Sequence, residues 1–277
     1  MVHKKSVVLI SAVGFAVFAL GATQALATGN VSASVNKGVL TITGDGSDNS
    51  IVMEPKLDAE SNPITSVFMI SSGDGTTTVN GVLTPYETPV ANHEVLIDLG
   101  DGNDELEMTN VTITRMCRIT TGTGDSSVTI DNAVFNKQLR LTMGDGANVV
   151  DINNTDISEP SKVITGNGPD SITFNDVEYR GGITTKSGDD VLVIANSHHI
   201  DPKGKLAIKT ANGLDDVTFT DAHWQGKVLI NTGNDDDTVT AGNITVGVFV
   251  KVSGGGDTDT LIDNGGHTGV PQFTAFP

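Results

Sequence analysis

The chain has 277 residues, a formal charge of −18, one cysteine, 32 glycines and only 4% aromatic residues. An excess of 34 acidic over 16 basic side chains repels nucleic acid and anionic membrane surfaces over about a Debye length, so nucleic-acid binding is excluded as an expectation. The single cysteine, Cys117, cannot close an intramolecular disulfide, which leaves packing, hydrogen-bond ladders or bound ions to stabilise the fold.

The N-terminus carries the three parts of a secretory signal. His3, Lys4 and Lys5 form a basic start, Val7 to Leu20 is an apolar run, and Ala25-Leu26-Ala27 is an A-x-A cleavage site. Cleavage after Ala27 removes two lysines and no acid, moving the formal charge from −18 to −20. No later stretch approaches the roughly 18 to 20 apolar residues of a membrane-spanning helix. The expectation is a secreted, extracellular or cell-surface protein with residues 1–27 as signal peptide and no transmembrane segment in the mature chain.

Residues 28–94 are irregular and are expected to form an N-terminal cap with the first coils. Val39-Leu40-Thr41-Ile42-Thr43-Gly44-Asp45-Gly46-Ser47-Asp48 states a strand-turn theme, which Pro55, Pro63, Pro85 and Pro89 interrupt.

From residue 95 to 264 a repeat governs the chain. Asp104, Ser126, Asn148, Asp170, Asp190, Asp215, Asp237 and Asp259 form a column with steps of 22, 22, 22, 20, 25, 22 and 22 residues. Glycine turns precede the column, as in Gly100-Asp101-Gly102-Asn103 and Gly144-Asp145-Gly146. Apolar pairs at period 2 flank each turn: Val95 and Ile97, Cys117 and Ile119, and Leu139 and Leu141 before it, and Leu106, Val128, Val150, Ile172 and Val217 after it. A third column follows as Ile113, Phe135, Ile157, Tyr179, His199, Trp224 and Val246. These columns predict an all-β parallel β-helix (solenoid) of about eight coils of about 22 residues, with three short strands per coil. A polar column of Asn110, Asn132, Asn154, Asp176, Asn196, Asp221 and Asn243 is expected to hold the turn at each strand end. Residues 265–277 are expected to close the C-terminal end as a cap or tail.

Segments such as Leu96-Ile97-Asp98-Leu99-Gly100-Asp101-Gly102-Asn103-Asp104 resemble those of secreted bacterial β-solenoid proteins related to the haemolysin-type (RTX) calcium-binding repeats. The resemblance covers most of residues 36–263 at the level of the repeat, with a period of 22 and one glycine-aspartate turn per coil where RTX repeats are nonapeptides. It implies calcium held by aspartates and glycine carbonyls between coils. The residues supply their own argument for calcium: Asp170, Asp190, Asp215, Asp237 and Asp259 stack unbroken, and like charges about 5 Å apart repel by on the order of 1 kcal/mol even in water. A hard cation would relieve that repulsion. The alternative is that each aspartate caps its own turn.

Arg118, Arg140 and Lys162 occupy one outward position in three successive coils, with Arg115 and Lys137 three residues before the first two. Such a basic ladder would match regularly spaced carboxylates or sulfates on an acidic polysaccharide or another cell-envelope component. The first functional expectation is a structural solenoid, secreted or at the cell surface, that calcium could stabilise and that has no evident catalysis. The second is an acidic-polysaccharide-binding module, and the third a pectate-lyase-like glycan-cleaving enzyme. Within the longest coil, His198, His199, Asp201, Lys203 and Lys205 are the best place for a grafted site, although His199 shares the column of Tyr179 and Trp224.

Overall fold

The computed structural model describes residues 29–89, 94–201 and 203–271. The expected signal peptide and the last six residues of the expected tail lie outside the described residues. Among the described residues there are 27 strands and no helix. Apart from antiparallel hairpins near the N-terminus, strands pair in parallel with their counterparts one coil away, which is the predicted solenoid. About eight coils at a spacing of roughly 4.8 Å give a rod on the order of 40 Å long.

Three sheets run along the rod. The first contains the strands that precede the glycine turn, including Glu94–Asp98, Cys117–Thr120, Leu139–Thr142, Ser161–Ile164 and Gly181–Thr184. The second contains those that follow it, including Glu105–Thr109, Ser127–Asp131 and Val191–Ala195, and the third is built from short pairs such as Val134–Phe135 and His223–Trp224. Register is kept residue for residue: Cys117 sits between Val95 and Leu139, and Arg140 between Arg118 and Lys162. Side chains alternate across a strand, so one set of every coil enters a single continuous core that includes Ile119, Leu141, Val217, Phe135 and Trp224. Cys117 is fully buried in that core as a small apolar residue.

The corner between the second and third sheets explains the polar column. Asn110, Asn132, Asn154, Asp176, Asn196, Asp221 and Asn243 all have φ between 47° and 56°. This left-handed conformation is one that Asn and Asp tolerate better than other side chains with a Cβ. Axial bonds are a secondary feature, as where Asn132 Nδ2 donates to Asn110 Oδ1 at 2.6 Å.

The short and long coils adjoin and their length differences are absorbed at one corner. In the 20-residue coil the inward position held elsewhere by Cys117, Leu139 and Leu206 is Gly181, at φ 143°, and a Cβ there would come within 1.9 Å of the Ser161 carbonyl oxygen. Tyr179 packs at this place, its hydroxyl donating to the carbonyls of Gly182 at 2.8 Å and Ser161 at 3.1 Å.

The N-terminal segment is a true coil carrying a long insertion. Val39–Thr43 and Ser50–Leu57 stack in parallel on Glu94–Asp98 and Glu105–Thr109, and the antiparallel strands Asn30–Asn36 and Pro63–Ser72 cover their free sides. Capping an edge in this way removes a template for unwanted pairing. At the other end, Thr268–Pro271 still pairs in parallel with Thr245–Ser253, so stacking continues into the segment expected to be a cap.

Placing a carboxylate in the core costs several kcal/mol, because the charge is buried without a partner. Ile119→Asp and Val217→Asp should therefore unfold the coils around them. Thr142→Asp, at an outward position, should leave the melting temperature within a few degrees of the parent in circular-dichroism melts.

Candidate functional site: an internal aspartate column and an external basic sheet

The aspartate column lies inside the rod. Asp104, Asp170, Asp190, Asp215 and Asp237 are only 1–2% exposed. A physical reason follows from the main chain. Each column residue sits where the turn meets the second sheet, and its carbonyl accepts from the next coil in the ordinary way, as Asp170 O does from Val191 N at 2.8 Å. Its own N–H donates instead to a side-chain oxygen of the next coil. Thus Asn49 N donates to Asp104 Oδ1, Asn148 N to Asp170 Oδ1, Asp170 N to Asp190 Oδ1, Asp190 N to Asp215 Oδ1 and Asp215 N to Asp237 Oδ1, all at 2.9 Å. Asp104 N donates to Ser126 Oγ at 3.2 Å and Asp237 N to Asp259 Oδ1 at 3.1 Å. Buried N–H groups must find acceptors, and Asp, Asn or Ser supplies the missing carbonyl. Asn49 heads the column, 55 residues before Asp104, and the 22-residue period conceals it.

The second oxygens of Asp104, Asp170, Asp190, Asp215, Asp237 and Asp259 are enclosed without a hydrogen-bond partner among the described residues. Threonine hydroxyls of Thr165, Thr185 and Thr232 lie beside Asp170, Asp190 and Asp237 without an aligned bond. Burial opposes charge here. It pushes the carboxyls of Asp104 and Asp190 up to about 6 and that of Asp215 up to about 7, and raises Asp170 and Asp237 as well. The exposed turn aspartates behave oppositely. Asp101 and Asp145 accept from the backbone N–H groups of Thr123 and Asn167 in the next coil, both at 2.8 Å, and those bonds hold their carboxyls below the ordinary value.

The basic ladder lies outside, as expected, but it is part of a larger surface. Arg118, Arg140 and Lys162 are exposed and in register on the first sheet. Downstream strands of the same sheet add the exposed residues Lys205, Lys209, Lys227 and Lys251. From Cys117–Thr120 to Thr245–Ser253 the seven strands of this sheet contain seven Lys or Arg residues and no Asp or Glu. Of the eight strands after the turn, from Glu105–Thr109 to Thr260–Asp263, six contain acids and none contains Lys or Arg. None of the seven cations forms an ion pair among the described residues, and Lys227 sits 5.5 Å over the Phe249 ring. Arg115 and Lys137 are at the adjoining corner, where Lys137 pairs with Glu159 at 3.4 Å. The extended sheet escaped sequence reasoning because its later cations occupy several outward positions rather than one column. The absence of acids from every first-sheet strand after residue 98 was the available signal.

His199 packs in the core, its ring centroid 6.3 Å from that of Trp224. Neither ring nitrogen has a hydrogen-bond partner among the described residues, and burial, with Arg180 nearby, holds the imidazole below its ordinary pKa and therefore neutral. No cluster of three or more His, Cys, Asp or Glu suited to a metal occurs among the described residues. Comparison with protein-family models, curated proteins and solved structures found no match to this chain.

The two kinds of aspartate give stability a maximum in mild acid. A carboxyl whose folded pKa is raised disfavours the fold when charged, so the buried column adds stability as pH falls through about 7 and 6 toward the unfolded value. Asp101 and Asp145, whose folded values are depressed, contribute stability above the unfolded value and lose it as pH falls further. The melting temperature should rise from about pH 8 to about pH 5 and fall below about pH 3.5. Asp215→Asn should raise it at about pH 8 by several degrees and have little effect at about pH 5. Asparagine already serves at Asn148, where Nδ2 donates to the Gly144 and Gly146 carbonyls at 2.9 and 3.1 Å. Destabilisation by Asp215→Asn at both pH values would overturn this account.

Proposed function

We propose that the chain is an extracellular or cell-surface solenoid that binds an acidic polysaccharide along its first sheet. The observation that carries the reading is the segregation of charge: seven exposed cations, without an ion pair among the described residues, on six of seven successive strands that contain no acid, in a chain of net charge −18. Arg118, Arg140 and Lys162 stack at roughly 4.8 Å, where neighbouring cations repel by on the order of 1 kcal/mol even in water. A polyanion removes that repulsion on binding. The strand pitch is close to the length of one residue of an extended glycan, so carboxylates or sulfates on successive sugars can meet successive cations. Arginine adds forked donors that suit such groups. The acidic second sheet and turns restrict the ligand to one side of the rod. The leader-like residues 1–27 support an extracellular location, where acidic polysaccharides are encountered.

Calcium, which the RTX resemblance implies, does not suit the column of Asp170, Asp190, Asp215, Asp237 and Asp259. One oxygen of each is committed to an N–H of the preceding coil, and the other is enclosed rather than gathered with the six to eight oxygens that calcium takes. The proposed function therefore involves no metal step. Melting curves in calcium and in chelator should coincide. A rise in calcium that Asp215→Asn with Asp237→Asn abolishes would restore the ion to the account.

The mature protein should be retained on immobilised polygalacturonate or heparin and elute earlier as salt is raised. Arg118→Ala combined with Arg140→Ala should weaken binding by about tenfold or more without changing the melting temperature, since exposed unpaired side chains contribute little to folding. Equal retention of parent and double variant, or no retention of the parent, would refute the proposal.

A further inference from the structure

The basic ladder ends in a hollow. Beyond Lys162 the same outward position is occupied by Gly182 and then Ala207, so two successive coils have no long side chain at that position. The adjoining corner is built by the longest coil, which carries Lys203 and Lys205 outward, and by Arg180 at the end of the short one. A depression of about 390 Å³ results, with Pro160, Gly182 and Ala207 in its lining and Arg180, Lys203 and Lys205 around it. Its volume is at the small end of ligand pockets. Arg180 is held in place, donating to Asp201 Oδ2 at 2.9 Å, Glu159 Oε2 at 3.3 Å and the Ser158 carbonyl at 3.2 Å. Lys203 and Lys205 are exposed and have no ion pair among the described residues.

We infer that this hollow is the subsite that seats one uronate ring of the glycan whose other carboxylates lie on Arg118, Arg140 and Lys162. The inference rests on the polysaccharide reading and adds a position at which a ring, rather than a charge alone, is recognised. The Gly182 backbone, Pro160 and the Ala207 methyl offer a carbon-lined floor for the C–H face of a pyranose. Lys203 and Lys205 can reach its carboxylate, while the ordered Arg180, Asp201 and Glu159 cluster offers donors and acceptors to its hydroxyls. A flat strand with a long side chain at position 182 would present charge without a seat.

Gly182 makes the test clean. Its φ is not in the left-handed range, and the nearest atom to an added Cβ is the Ala207 carbonyl oxygen at 3.7 Å, an ordinary contact. Gly182→Leu therefore fills the hollow without straining the backbone. Titration with a galacturonate oligomer and with inorganic polyphosphate, a polyanion without rings, separates the two kinds of recognition. The expected result is at least a tenfold loss of galacturonate affinity in Gly182→Leu, unchanged polyphosphate binding and an unchanged melting temperature. Galacturonate binding equal to the parent's would overturn the subsite while leaving the basic sheet intact. Equal losses for both ligands would overturn it too, since the substitution would then have disturbed the whole face. A parent that binds polyphosphate but no galacturonate would overturn both the subsite and the polysaccharide reading.

Discussion

The fold depends on one recurring donor, the buried N–H at the junction between each glycine turn and the second sheet. No main-chain carbonyl of the next coil meets it, and the side-chain oxygen of Asp, Asn or Ser takes that place from Asn49 through Asp259. Burial of the acceptor follows from burial of the donor, and the raised carboxyl pKa values follow from burial of the acceptor. Alternation then carries apolar side chains from both flanking strands into the core and leaves the remaining positions free to vary. Those free positions are where the charge pattern is written.

Segregating the charges resolves a conflict in this chain. Exposed aspartates at the turns tie each coil to the next through N–H bonds and give the molecule its acidity. The first sheet runs into that edge, yet none of its seven cations from Arg118 to Lys251 forms an ion pair among the described residues. A uniform mixture of the same residues would pair them and offer no directional surface. The sheet therefore differs from ordinary surface variation in a way that net charge alone conceals.

Most of the fold was legible in the sequence because a solenoid repeats its physics. Strict alternation and a 22-residue period place Ile119, Leu141, Val217 and Trp224 in the core without reference to coordinates, and the short and long coils cancel. Two things were hidden. The first coil's partner lies 55 residues away, since a hairpin is inserted within it, so Asn49 shows no periodic signal. The aspartate column was legible as a column but not as to environment: its spacing does not reveal that the carboxylates are buried and accept N–H groups from the preceding coil. Of the basic site, Arg118, Arg140 and Lys162 could be read from spacing. The hollow could not, because it arises from what is missing at Gly182 and Ala207.

The direction of the column bonds has a consequence for a chain made from its N-terminus. In every case the earlier coil supplies the N–H and the later coil supplies the oxygen. A chain emerging N-terminus first therefore always ends in an incomplete coil whose buried donor awaits residues still to come. Ending the stack after any coil would leave that coil's buried donor without its acceptor, a cost borne by the last coil alone.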